Sequence, residues 1–160
     1  MLGGCAPGNP MPEWPKKKPR PGIDRYGHTP LWHRAFKGDL EGVRSAIKAG
    51  ADPNIADDVG YTPLHIAAQE RHPDVVDLLL QLGADPNRAD KHGDGPLWTA
   101  VYWANRRDRT CANLAIVASL LRFGANPDHK NAVGRTPREF ATIGGDDQVK
   151  SLLGIEKQAG

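Results

Sequence analysis

Three glycines, Gly27, Gly60 and Gly93, stand 33 residues apart, and a fourth, Gly134, follows 41 residues after the third. The same phrase surrounds each of them: "DRYGHTPLW", "DDVGYTPLH", "DKHGDGPLW" and "NAVGRTPRE". A second phrase closes the units, "GADPN" from Gly50, "GADPN" from Gly83 and "GANPD" from Gly124. A fixed period of this length is the mark of an array of like units, each burying its face only against its neighbours. The spacing of 41 means that eight residues have been added to the third unit, in the stretch "ANRRDRTCAN" after Trp103.

The chemistry of one unit predicts its local structure. In "GYTPLHIAA" the Thr62 side chain can accept a backbone N–H as N-cap, and Pro63 at the first helical position forfeits no hydrogen bond, so a helix starts at Pro63. Leu64, Ala67 and Ala68 recur at helical spacing and give a narrow face of mostly small residues that a neighbouring helix can approach closely. A second helix runs through "VVDLLLQL", opened by Pro73 and Asp74 and stopped at Gly83 in the left-handed cap that glycine favours. The following "ADPNRADKHG" lacks helical periodicity and is rich in turn formers, which predicts an extended, hairpin-like finger. In the third unit Gly95 replaces the capping Thr, leaving that unit's first helix less well started.

With Thr-Pro-Leu-His and the closing phrase recurring in register, the chain resembles the ankyrin repeat proteins over roughly residues 23 to 154. The likeness is to the short, stand-alone bacterial kind, including small ankyrin proteins that accompany toxins as immunity proteins. It implies an all-α solenoid of helix-turn-helix units with fingers, about three full repeats and a C-terminal capping half-repeat. The expected division is a Pro/Lys-rich tail at 1–22, a repeat domain at 23–154 and a C-terminal tail at 155–160. Within the domain the repeats fall at about 24–56, 57–89 and 90–130, with the insertion near 104–113 and the cap at 131–154. The end units carry polar substitutions suited to caps: His33 and Arg34 in the first, Arg138 in place of the usual Leu in the last.

Composition fits such an array: 160 residues, 39% hydrophobic, and a mean hydropathy of −0.55. Residues 1–22 differ, with six prolines and three lysines and one arginine against one glutamate, about +3, so the formal net charge of +2 leaves the repeat body close to neutral. "PKKKPR" reads as a solubilising tether in preference to a nuclear address. "LGGC" at positions 2–5 resembles a lipobox, but the charged and apolar regions of a lipoprotein signal are absent in front of it. The expected location is therefore cytoplasmic, with an envelope-anchored lipoprotein lipidated at Cys5 as the alternative if the start lies upstream. Two cysteines, at 5 and 111, make no disulfide framework.

No assembly of nucleophile, base and oxyanion donor is discernible, so no catalysis and no cofactor are expected. Most of the six histidines have repeat-position explanations. His65 belongs to the Thr-Pro-Leu-His phrase, and His72 opens the turn before a second helix. His28 and His92 lie in finger regions expected to be adjacent, but two histidines without a third ligand make no metal site. Asp57 matches the finger aspartates Asp24 and Asp90, which disposes of the Asp57–Asp58 pair as a catalytic couple.

A surface remains. In ankyrin proteins the partner usually lies in the groove between the fingers and the first helix of each unit. Carried onto this chain, that position gives Tyr26, His28, Phe36, Lys37, Tyr61, Gln69, Glu70, His92, Tyr102 and Trp103, with Arg106, Arg107 and Arg109 of the insertion forming a positive rim. The finger tips also present Asp58 and Asp94. Five of the ten aromatics lie along this groove, at positions the repeat does not need for its core. Tyr and Trp are the residues most often found as binding hot spots. Trp32 and Trp98, at the His position of the phrase, are expected to pack half-buried. The expected function is protein binding by a monomer, without a membrane span. The partner is a toxin with an acidic patch, inhibited by this chain as an immunity protein, or a host-cell protein that the chain adapts or regulates. Nucleic-acid binding through the arginine loop and basic tail is the alternative, disfavoured by the near-neutral body.

Overall fold

The computed structural model describes residues 20–106, 111–144 and 146–155. The Cys5 motif, most of the proline-rich tail, Arg107 and Arg109 lie outside the described residues. Among the described residues eight helices follow one another: α1 (Pro30–Lys37), α2 (Leu40–Lys48), α3 (Pro63–Gln69), α4 (Pro73–Gln81), α5 (Pro96–Ala104), α6 (Cys111–Arg122), α7 (Pro137–Gly144) and α8 (Asp147–Leu152). They stack in two layers. The first helices of the units pack in series, α1 on α3 on α5 on α7, and the second helices likewise, α2 on α4 on α6 on α8.

Each first helix begins as its residues dictate. Thr62 accepts from the His65 N–H while the His65 ring reaches back to the Thr62 N–H, a reciprocal cap. Thr136 and Glu139 repeat the arrangement in the last unit, with a glutamate where the phrase has histidine. At Gly95 no side chain caps α5. Leu64, Ala67 and Ala68 are fully buried between α1 and α5, and the second-helix layer buries Val76 and Leu79 of α4 with Ile116 and Leu120 of α6. Burying one such leucine contributes roughly 2 kcal/mol, and the series of them replaces a single central core.

The closing phrase joins one unit to the next. The Asn54 side chain accepts from the Asp85 N–H at 2.7 Å and donates to the Gly83 carbonyl at 3.1 Å. Asn87 does the same for Asn126 and Gly124. In the third copy the asparagine becomes Asp128, which instead takes both forks of Arg138 at 2.7 and 3.0 Å. Arg138 also donates to the Leu153 carbonyl, so the polar substitution in the cap ties α8 to α7.

The fingers are turns closed by one carboxylate or amide each. Asp24, Asp57, Asp90 and Asn131 each accept two backbone N–H groups from residues two and four positions on. Backbone bonds link successive fingers: Asp58 N–H to Tyr26 O, Lys91 N–H to Val59 O, Ala132 N–H to His92 O. The middle finger therefore separates His28 from His92, which corrects the expectation that the two lie on adjacent fingers.

The insertion also differs from expectation. Compared with the second unit, two of its eight residues lengthen α5, three lengthen α6 and three lengthen the connection between them. "CANLAIVASLL" is rich in helix formers, so α6 starts earlier than a loop reading allows. No helix among the described residues is long and apolar enough to cross a membrane.

Candidate functional site

The longer α5 carries Tyr102 and Trp103 to the groove between the fingers and the first-helix layer. There they join Tyr61 and Asp94 from two fingers, Gln69 from the end of α3, and Trp98 and Thr99 of α5 around a cavity of about 230 Å³. Four of the expected binding residues, Tyr61, Gln69, Tyr102 and Trp103, thus share one concave site with the finger-tip Asp94. Trp98 and Thr99 were not among the expected contact residues. Trp98 is half-buried and packs on Phe140, as expected of it, yet also walls the cavity. The signal for it is in the sequence: a tryptophan where the repeat uses histidine leaves a wide flat face that one helix pair cannot cover.

The cavity is amphipathic. Tyr102 and Trp103 meet edge to face at 5.5 Å, and Tyr102 stacks on Phe140 at 5.9 Å, which backs the tyrosine ring. Tyr61 is more structural than its position in the repeat suggests. Its ring stacks on His65 at 4.8 Å and packs against the core, its hydroxyl lies 3.5 Å from that of Thr99, and burial pushes its pKa up. Asp94 is held by the Asn131 amide at 2.9 Å, and its desolvation raises its pKa against that bond. Gln69 donates to Glu70 beside it.

Arg106 edges this site. Its guanidinium sits over Trp103 at 5.1 Å and Tyr102 at 5.6 Å and donates to the Tyr102 hydroxyl at 2.8 Å. The other expected residues lie elsewhere. Phe36 stacks parallel on Trp32 at 5.7 Å and gives its carbonyl to the His72 ring, while Lys37, at the end of α1, and His92, on the third finger, are exposed. Tyr26 is 54% exposed under Arg25.

His28 is engaged on every side. Its Nδ1 lies 2.9 Å from Asp24 Oδ2 and its Nε2 3.5 Å from Asp57 Oδ2, and its ring stacks on Trp32 at 3.8 Å. The Nε2 of His33 reaches the same Asp24 oxygen at 3.1 Å. Desolvation pushes Asp24 up, but the His28 and Tyr26 N–H groups and the His28 ring outweigh it and hold this carboxyl at about 2. Trp32, by contrast, keeps a buried Nε1 without a hydrogen-bond partner among the described residues, the consequence of losing the histidine of the phrase.

Residues 14–90 match the family model of ankyrin repeats, in three copies. No curated protein matches the chain. Ankyrin repeats are generally non-catalytic modules of protein–protein interaction. Since the helix pair, the finger and the inter-unit asparagine recur on both sides of residue 90, the chain belongs to the ankyrin-repeat family.

Proposed function

We propose that the chain binds a partner protein in the groove between the fingers and the first helices, with one partner side chain entering the cavity walled by Tyr61, Trp98, Tyr102 and Trp103. The observation that carries this reading is the cavity itself. Aromatic rings from two successive units converge there around a few polar groups, Asp94, Thr99 and Gln69, the composition of a site that buries a side chain and fixes its orientation. Arg106 sets a cation at the edge, which favours a partner bearing an acidic group beside the inserted residue. An inhibited toxin and a regulated host-cell protein would both use the groove in this way, and the captured partner's identity decides between them.

The test is capture from lysate of the source cell by the full chain and by a Tyr102→Ala, Trp103→Ala variant whose melting is cooperative. A protein held by the first and lost by the second supports the reading. A partner retained equally by both, or one released by nuclease treatment, overturns it.

A further inference from the structure

Asp24, His28 and His33 bring three ligand atoms together at the first finger, all within 4.8 Å of one another. Both imidazoles aim a nitrogen at one carboxylate oxygen, His28 Nδ1 at 2.9 Å and His33 Nε2 at 3.1 Å. The other nitrogen of His28 faces a second carboxylate, Asp57, whose side chain is only 4% exposed and whose other oxygen is occupied by the Val59 and Tyr61 N–H groups.

That arrangement has a consequence for the proton on His28. A neutral imidazole carries one N–H, so it can donate to Asp24 or to Asp57 and must turn a lone pair toward the other. With the N–H toward the buried Asp57, the Nδ1 lone pair points at the Asp24 carboxylate, and a cation between them removes the repulsion. A metal-bound histidine whose second nitrogen donates to a carboxylate is the usual means of fixing the ring and its tautomer. His33 converges on the same point from α1, and the stack of His28 on Trp32 holds the first ring in place.

We propose that Asp24 Oδ2, His28 Nδ1 and His33 Nε2 bind a divalent transition-metal ion of the zinc class, with Asp57 orienting His28 from behind. Two imidazoles and one carboxylate are a donor set that selects zinc and its neighbours over calcium or magnesium. In a tetrahedral site with bonds of about 2.0–2.1 Å the ligand atoms stand about 3.3 Å apart, so each imidazole nitrogen need retreat from Asp24 Oδ2 by only a few tenths of an ångström, the three atoms already lying within 4.8 Å of one another. The remaining coordination position opens to solvent, since the His33 side chain is 47% exposed and Asp24 34%. The ion would clamp the first finger (Asp24, His28) to the first helix (His33), stiffening the first unit of the described array.

The experiment is calorimetric titration of Zn²⁺ into the full, metal-free chain carrying Cys5→Ser and Cys111→Ser, so that neither thiol contributes. One-to-one binding is expected, with a rise in melting temperature on adding the ion. His33→Gln and Asp24→Asn should each weaken binding at least about tenfold, since each removes a ligand, and Asp57→Asn should weaken it about 10- to 100-fold as a lost orienting carboxylate does. The His129→Gln control, remote in sequence at the third closing phrase, should bind as the parent does. Imidazole resonances of His28 and His33, followed by NMR, should shift with Zn²⁺ and those of His65 and His72 should not, a readout independent of whether any variant folds. Absence of Zn²⁺ binding, or binding unchanged in His33→Gln and Asp24→Asn, overturns the proposal.

Discussion

The Nε2 of His65 lies 3.1 Å from the carbonyl oxygen of Asp94, so a buried imidazole of the second unit reaches into the finger of the third. Its Nδ1 accepts from the Thr62 N–H at 3.2 Å, which places the proton on Nε2 and makes the ring a neutral connector. Burial lowers its pKa to about 4, against the upward pull of the Asp94 carbonyl and of Asp90 and Asp57. The unfolded ring titrates near 6.5. Between these values the unfolded chain binds the additional proton, so this contribution is complete above about pH 6.5, declines as pH falls and is exhausted below about pH 4. The shift corresponds to roughly 3 kcal/mol. Urea unfolding of the parent and of His65→Gln from about pH 7.5 to about pH 4.5 checks it: the variant is less stable at neutral pH and loses less on acidification. Parallel pH profiles for the two would show that His65 does not titrate with folding.

Gly60 and Gly83 both have a left-handed backbone, with φ 91° and 94°, yet only one of them is crowded. A Cβ at Gly60 would stand 2.8 Å from Asp90 Cα and 3.0 Å from the Lys91 nitrogen, where the second and third fingers meet, whereas at Gly83 it would meet nothing within 4 Å. Either change to alanine costs roughly 1–2 kcal/mol for the left-handed conformation. Gly60→Ala should cost at least about 1 kcal/mol more, because backbone must move to admit the methyl. Equal unfolding free energies for the two variants would mean that the fingers separate freely.

Asn54→Ala removes the acceptor of the Asp85 N–H and the donor to the Gly83 carbonyl at once. The expected loss is about 1–3 kcal/mol, and the Asp85 amide, protected in the parent, should exchange its hydrogen sooner in the variant. An unchanged exchange rate at Asp85 would show that the unit boundary is held by apolar packing alone.

How much of the fold and of the groove is legible in the sequence depends on whether a feature is repeated. The start of α3 at Pro63, its cap by Thr62 and the stop at Gly83 follow from local rules and read directly off the residues. The same phrases place the fingers and the gathering of Tyr61, Gln69, Tyr102 and Trp103 along the groove. What escapes is what occurs once. The insertion reads as a loop if one counts residues between phrases, and only its helix-forming content tells that most of it extends α5 and α6. Trp98 and Thr99 line the cavity because the first turn of α5 faces Tyr61 of the second finger, a relation between units that no single unit displays. The convergence of His33 on Asp24 is similarly invisible in spacing, because it depends on how the first finger folds back over the start of α1.

Gly95 offers a gain of stability that the repeat itself suggests. It occupies the N-cap of α5 with φ −93° and ψ 173°, an extended conformation that any residue adopts, while Thr29, Thr62 and Thr136 hold the equivalent places in the other units. A Cβ there would meet only the Arg88 carbonyl oxygen, at 3.8 Å, an ordinary contact. Gly95→Thr should therefore supply the missing side-chain acceptor and restrict the unfolded chain, stabilising the protein by about 0.5–1 kcal/mol. Because α5 carries Trp98, Tyr102 and Trp103, the same change should slow hydrogen exchange in the first turn of that helix. Urea unfolding together with exchange at Trp98 and Thr99 provides the check, and a variant no more stable than the parent would mean that the start of α5 is fixed by Pro96 and packing, with the cap contributing nothing.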